Sequence, residues 1–324
     1  MGADVAVVVP THDRPDLLHR TLRTVAWQTG VDLEVVVVDD GEGGVAERVV
    51  DALGDPRFRV VPSPRPHGGP CAARNAGAAA TTASWVAYLD DDDLWAPDKL
   101  SAQLAAVEQT PGAGWVTAGA VSVDDDLRIL SWQAPPPPGM QRRQVATNLI
   151  PGGGSGTVVA RSVVEEVGGF DEDMRHHGDY EMWVRVSLVA PLAVVDRPVV
   201  GYLVHGGGLS RGTANGRAAK AALRPRLERL QAEQGVEGDF DSWDFIWGDL
   251  ELRSGRRWDA ARTYAGLAVR RREPRLIARA AVAAAAPGVL RQRAERWAAA
   301  QVPQDVRAEA EVWLARVPSR TPTA

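Results

Sequence analysis

Residues 5–40 read VAVVVPTHDRPDLLHRTLRTVAWQTGVDLEVVVVDD. Residues 5–9 and 34–38 are runs rich in β-branched side chains, the composition of strands covered on both faces. Between them Leu17, Leu18, Leu22 and Val25 recur at helical spacing, with Pro15 in the first turn and Gly30 past the end, so residues 15–28 are expected to form a helix. A strand, a helix and a second doubly buried strand in that order open a parallel sheet covered by helices.

Outward from this stretch the alternation continues. Helices are expected over 45–53, 70–80 and 97–108, and strands over 58–61 and 85–89. After Gly114 come a strand (115–121), a proline-rich loop (135–138), a glycine run (152–156), a strand (157–160), helices over 162–167 and 180–189, and a strand (193–195). The glycine-rich stretch 206–216 reads as a mobile loop or linker. Beyond it the text is helical and rich in alanine and arginine, which places a boundary near Arg217, with one domain over 1–217 and a helical region over 218–324. The fold class is α/β, a mostly parallel sheet flanked by helices, with an α-helical C-terminal extension.

Hydrophobic residues make up 45% and charged residues 24% of the 324, a globular composition. A single cysteine, Cys71, excludes a disulfide framework and a thiolate zinc cluster and points to a reducing compartment. The first residues, MGADVAVVVPTHDR, lack the basic region of a secretory leader, and no apolar run approaches the ~20 residues that span a bilayer. A cytoplasmic protein is expected, with membrane contact peripheral at most. The net charge of -5 divides unevenly: residues 1–217 carry 18 Lys+Arg against 28 Asp+Glu (-10), and residues 218–324 carry 19 against 14 (+5). The acidic part should repel nucleic acid, and small phosphate ligands too unless a cation sits with them.

Three acidic signals follow three strands: Asp13, then Asp39 and Asp40, then Asp90 to Asp93. In a parallel sheet those strand ends share one edge, where open α/β sheets bind ligands. The competing reading is that Asp is a common turn former. Four adjacent carboxylates repel one another unless a cation or hydrogen-bond donors compensate. Asp90 and Asp92 project to one side of an extended segment. Such a pair suits Mg²⁺ or Mn²⁺ completed by phosphate oxygens and water. A solvated acidic turn capping the next helix is the alternative. The first strand–helix turn, Pro10-Thr11-His12-Asp13-Arg14-Pro15, contains no glycine, so neither a dinucleotide fingerprint nor a Walker A loop is present.

Six ordered motifs carry a family resemblance: VVVPTHDRPDLL (7–18), VVVVDDG (35–41), HGGPCAARNAG (67–77), VAYLDDDDLWAPDKL (86–100), GGFDEDM (168–174) and GDYEMWVRV (178–186). Over roughly the first two thirds of the chain they resemble a family 2 inverting glycosyltransferase of the GT-A fold. The resemblance implies that Pro10, Thr11 and Asp13 frame the base and ribose of a nucleotide donor. It implies that Asp40 accepts the pyrimidine N3–H, which uracil and thymine share, and that Gly68, Gly69 and Arg74 close over the donor. Asp90 and Asp92 match the DxD pair, the first near the ribose and the second on the metal; Asp91 is grouped with the nucleotide-sugar residues, and Asp93 with supporting or helix-capping ones. Trp95 matches a packing aromatic.

Asp179 stands where the family carries its catalytic base, usually written Glu-Asp; here Gly178 precedes it, a departure. The bland alternative is a helix cap, and Glu181 and Arg185 then read as a helix-surface ion pair. His205 matches a histidine that in several GT-A enzymes reaches the metal or diphosphate, and imidazole favours Mn²⁺ over Mg²⁺. The activity implied by the resemblance is that of an inverting hexosyltransferase that displaces a nucleotide diphosphate (UDP or dTDP) directly, with Asp179 as general base and a divalent metal on Asp92 and His205. The acceptor is a hydroxyl of a glycan, a lipid-linked intermediate or a small molecule. Rival readings are a sugar nucleotidyltransferase, which needs a glycine-rich phosphate loop, and a non-catalytic protein that binds nucleotide sugars.

In the tail, Gly255, Trp258, Ala261, Ala268 and Pro274 resemble the later half of one tetratricopeptide unit, too little for a solenoid. The helices are expected to pack on the catalytic domain or in a homodimer. Arginine clusters at 270–272 and 291–296 read as a solvated face or as contacts to acidic lipid. Trp243, Trp247, Trp258, Trp297 and Trp313, at helical positions, are expected to be mostly core.

Overall fold

The computed structural model describes residues 3–137, 139–174, 176–205 and 214–318. Most of the stretch expected to form a mobile loop, residues 206–213, lies outside the described residues.

The leading half follows the alternation of the sequence. Strands β1 (Val5–Thr11), β2 (Leu33–Asp39), β3 (Phe58–Pro62) and β4 (Trp85–Tyr88) alternate with helices α1 (Pro15–Ala26), α2 (Val45–Leu53) and α3 (Pro70–Ala79). β3, β2, β1 and β4 lie side by side and all run parallel. Side chains alternate across them: Val5, Val7 and Val9 join the core under α1 and α2, while Val8, Val36 and Val38 join the core on the α3 face. All seven residues of β1 are buried, which is why the sequence shows an unbroken apolar run there.

A two-residue strand β5 (Leu94–Trp95) leads to α4 (Lys99–Glu108), which begins two residues after the expected Pro97. Next come β6 (Trp115–Val123), β7 (Ile129–Gln133), β8 (Thr157–Ala160), α5 (Arg161–Val167), α6 (Gly178–Val189) and β9 (Leu192–Leu203). They complete a nine-stranded sheet in the order β3-β2-β1-β4-β8-β6-β9-β5, with β7 on β6. β5, β7 and β8 pair antiparallel, so the second half of the sheet is mixed. β9 is far longer than the expected 193–195: Pro198 and Gly201 interrupt its apolar pattern, and the β6–β9 register slips around Gly119 to accommodate them.

Helices α7 (Ala214–Gln234), α8 (Phe240–Arg253), α9 (Arg257–Arg271), α10 (Pro274–Ala285), α11 (Pro287–Ala300) and α12 (Gln304–Leu314) follow. α7 packs on α6, where Leu223 and Leu227 meet Tyr180 and Val184. α8, α9 and α10 share a core of their own built on Leu252, Tyr264, Leu267 and Leu276. The last helix returns to the sheet: Ala310, Trp313 and Leu314 sit in the same core as Val199 and Val200, and Trp313 Nε1 donates to the Pro198 carbonyl at 2.9 Å. The tail tryptophans, expected to be mostly core, divide, with Trp243 partly buried against Tyr180. Trp247 and Trp313 are buried, whereas Trp258 and Trp297 are 58% and 68% exposed. No helix among the described residues is long and apolar enough to cross a membrane.

Candidate active site

β1, β2 and β4 end at one edge of the sheet, with Thr11 opposite Asp39. Pro10 is buried within β1, and Asp13 takes a left-handed φ of 51° at the exposed turn that follows. Asp13 stands with Asp39 around Gly41: a Cβ at Gly41 would lie 2.5 Å from Asp13 Oδ1 and 3.2 Å from Asp39 Oδ1. Asp40 is buried, and its two oxygens accept the backbone N–H groups of Gly68 (3.1 Å) and Gly69 (2.9 Å). The glycine loop is thus held on β2 by the carboxylate expected to read a pyrimidine.

The four aspartates after β4 diverge. Asp90 pairs with Arg74, itself buried and stacked on Phe170. Asp91 turns inward, accepting from the Thr11 hydroxyl (2.8 Å) and lying 3.3 Å from Arg14 Nη1. Asp92 Oδ2 meets His205 Nε2 at 2.9 Å and Arg14 Nη1 at 3.2 Å. Asp93 is fully buried; it accepts from the Ser155 hydroxyl and from Leu203 N (3.1 Å) and does not cap α4, whose N-cap is Asp98. The Thr21 hydroxyl bridges the carbonyls of Asp91 (3.0 Å) and Asp93 (2.8 Å), fixing the turn. Trp95 is buried and donates to the Ser155 carbonyl at 2.9 Å, a packing role as expected.

One oxygen each from Asp90, Asp92 and Asp93 lies within 4.8 Å of the others. Crowding of buried carboxylates disfavours their charge. Burial, reinforced by Asp92, lifts Asp91 to about 7. Burial also raises Asp90 against the pull of Arg74, and raises Asp93 well above the carboxylate range. Such a donor set fits a hard divalent cation, whose charge would offset the repulsion. Each of the three is also engaged within the protein, Asp90 by Arg74, Asp92 by Arg14 and His205, and Asp93 by Ser155 and Leu203.

Asp179 lies in the first turn of α6, where its Oδ1 accepts its neighbour's N–H, from Tyr180, at 2.8 Å. The N-cap is His177, which makes no side-chain cap bond. The glycine run approaches from the other side: a Cβ at Gly153 would stand 2.9 Å from Asp179 Oδ2. Arg74 is near enough to both Asp90 and Asp179 that their charges outweigh its burial and hold the guanidinium ionised. Gly178, the departure from the Glu-Asp pattern, has a steric cause, since a Cβ there would lie 2.3 Å from Cys71 Sγ. Glu181 is no surface residue: it is buried between Arg185 and Arg226, the latter brought by α7.

The fold therefore gathers Thr11, Arg74, Asp90, Asp91, Asp92 and His205 in one network, sets Asp40 and Gly69 beside it, and leaves Asp13 on the exposed rim. Arg14 and Thr21 are not read from the sequence as site residues, and Gly152 to Ser155 reads only as a tight turn or a lining of the acceptor pocket, not as a support of the acidic turn. Arg14 could have been found as the cation between Thr11 and Pro15; Thr21 carries no local signal.

The glycosyl transferase family 2 pattern matches residues 6–168. The succinoglycan biosynthesis protein ExoO of Rhizobium meliloti is 36% identical over 128 residues, 40% of this chain and 34% of that protein. The amylovoran biosynthesis glycosyltransferase AmsB of Erwinia amylovora is 25% identical over 211 residues, 61% of this chain and 68% of its own. The match spans between about a third and three fifths of the first two curated relatives. Among solved structures, S. aureus TarS superposes with a TM-score of 0.56 at 14% identity, over 80% of this chain and 49% of that one. Its 1–349 fragment in complex with UDP-GlcNAc gives 0.53 at 17%, over 77% of this chain and 72% of that one.

Proposed function

Because this chain belongs to glycosyl transferase family 2, we propose that it moves a sugar from a nucleotide-diphosphate donor to an acceptor hydroxyl by direct, inverting displacement. The observation that carries the reading is the cluster of Asp90, Asp92 and Asp93 at the sheet edge where β1, β2 and β4 end, with His205 against Asp92. We assign the catalytic unit to residues 1–217 and treat 218–324 as a helical region whose α7 and α12 pack on that unit while α8–α10 keep a core of their own.

In this reading Thr11 and Asp13 frame the ribose and base, and Asp40 accepts a pyrimidine N3–H with a lone pair left free by Gly68 and Gly69. That choice favours UDP or dTDP, and the neighbours bound to UDP and UDP-GlcNAc support a uridine donor. Arg74 and the Gly69 loop hold the diphosphate side. A divalent ion, Mn²⁺ in preference to Mg²⁺ because of His205, supplies charge neutralisation at the leaving diphosphate. Asp179 removes the acceptor proton as general base. Cys71, a buried free thiol, accords with a cytoplasmic setting.

The test is release of nucleoside diphosphate from UDP- and dTDP-sugars with Mn²⁺ present. Release that requires the metal and is lost in Asp92→Ala is expected. No release from any pyrimidine donor, with or without acceptor hydroxyls, would overturn the assignment.

A further inference from the structure

The two arginine clusters of the tail, separate in sequence, are brought by the fold to one groove. It measures about 820 Å³ and runs between α8, α10 and α11, with Phe245, Ile246, Leu276 and Leu290 supplying apolar walls. Arg271 from the first cluster and Arg293 from the second line it together, with Arg275 between them in sequence. From residue 270 to 296 the chain carries eight arginines against only Glu273 and Glu295. Neighbouring acids offset much of this charge: Asp239, Asp241 and Asp244 pair with Arg270 and Arg271, Asp249 with Arg279, Glu273 with Arg275 and Glu295 with Arg291, so the surplus rests on Arg272, Arg293 and Arg296, which form no ion pair among the described residues.

Beside the groove the surface is apolar where solvation alone would favour polar groups. Ile246 is 55%, Ile277 61%, Val289 61% and Trp297 68% exposed. None of the residues of α11 is buried. Val289, Arg293 and Trp297 are four residues apart in turn, so they form one stripe along that helix. Aliphatic and tryptophan side chains interleaved with arginine make up the composition of a helix lying in a bilayer interface, where apolar parts enter the acyl boundary and guanidinium groups meet headgroup phosphates.

We propose that the α10–α11 face docks on an anionic phospholipid bilayer, with Trp297, Val289 and Ile246 entering the interface and Arg275, Arg293 and Arg296 contacting lipid phosphates. Charge complementarity selects this occupant over a second copy of the chain, because two such faces repel each other. The C-terminal helices supply every one of these groups, so docking is independent of what the transferase site turns over.

The test is co-sedimentation of the full chain with vesicles of phosphatidylcholine alone or mixed with phosphatidylglycerol. Binding is expected only to the mixed vesicles, and high salt should abolish it. The triple change Arg275→Gln, Arg293→Gln, Arg296→Gln should lower the partition coefficient about 100-fold, given the contribution of each arginine near an anionic surface. Trp297→Ser should weaken binding without altering the melting temperature. Equal binding to both vesicle types, no binding, or full binding by the triple variant would overturn the proposal. So would a concentration-dependent dimer broken by Trp297→Ser in a protein that ignores vesicles, which would give the face to a second copy.

Discussion

Asp92 and His205 lie 113 residues apart in sequence, yet their side chains meet at 2.9 Å beside the end of β9. The register of β9 along β6 sets that meeting, since Leu203, two residues before the histidine, pairs with Val123 and donates to Asp93. Asp92→Ala should abolish the dependence of nucleotide affinity on Mn²⁺. His205→Gln should weaken Mn²⁺ binding about 10-fold or more while changing Mg²⁺ binding less. Titration calorimetry with each metal and UDP checks both, and a metal-independent affinity shared by wild type and variants would refute the assignment.

Asp179 stands beside the Gly153 backbone, with Arg74 near both it and Asp90. Asp179→Asn keeps the shape and removes the base. Turnover should fall by about 10²–10⁴-fold while donor affinity stays within about twofold. Single-turnover kinetics alongside donor binding separate the two; a parallel loss of binding would make Asp179 a donor ligand instead.

The doubly covered strands could be read from the sequence because burial on both faces leaves a run such as Val35–Val38 with no polar interruption. The second half of β9 could not, since Pro198 and Gly201 imitate a turn and are tolerated only because β6 bulges beside them. That the C-terminal helices would pack on the first domain was expected, but not that α12 is the one that returns to the sheet: an amphipathic helix shows which face is apolar and not which core receives it. At the site, carboxylates after strands declared themselves by crowding. Arg14, Ser155 and Thr21 entered through tertiary distance, and the inward turn of Asp91 toward Thr11 is invisible in a run of four identical residues.

Gly178 and Cys71 exclude each other's growth. Gly178→Ala should cost about 1–3 kcal/mol, the usual range for overpacking a well-filled core. Gly178 lacks the positive φ that would demand glycine, so the strain comes from the sulfur and not from the backbone. Adding Cys71→Ala should recover most of the loss. Urea denaturation of the two single variants and the double variant closes the cycle; an additive result would mean that the contact is not the cause.

Lys99 is fully buried over the Trp95 ring at 3.7 Å, and its Nζ has no hydrogen-bond partner among the described residues. Burial pushes the ammonium well below its usual range. The unfolded chain therefore binds a proton that the folded chain lacks, in the window from the lowered folded pKa up to about 10.4. Stability should rise with pH through that window and level off above it. Lys99→Met keeps the length of the side chain and removes the titration. Its melting temperature should exceed that of wild type by a few degrees at neutral pH, the difference shrinking as pH approaches 10, which calorimetry across the range would show.

Trp313 joins the C-terminal helices to the catalytic sheet. Its indole is 5% exposed, donates to the Pro198 carbonyl, and packs so closely on β9 that a Cβ at Gly201 would lie 2.9 Å from the ring. Arg197 adds ion pairs to Asp98 of the α4 cap (2.8 Å) and to Glu309 of α12 (2.6 Å), but both are part-exposed and contribute little. The tryptophan is the anchor. Trp313→Ala should cost about 3–5 kcal/mol, whereas Trp258→Ala, on the exposed side of α9, should change stability by no more than about 0.5 kcal/mol. Because β9 carries the chain to His205, the Trp313 variant should also lose Mn²⁺ affinity near its melting temperature before the α8–α10 helices unfold. Denaturation followed in parallel by Mn²⁺ binding and by far-ultraviolet circular dichroism would reveal that order, and coincident loss of both signals would show instead that the sheet and the helical region unfold as one unit.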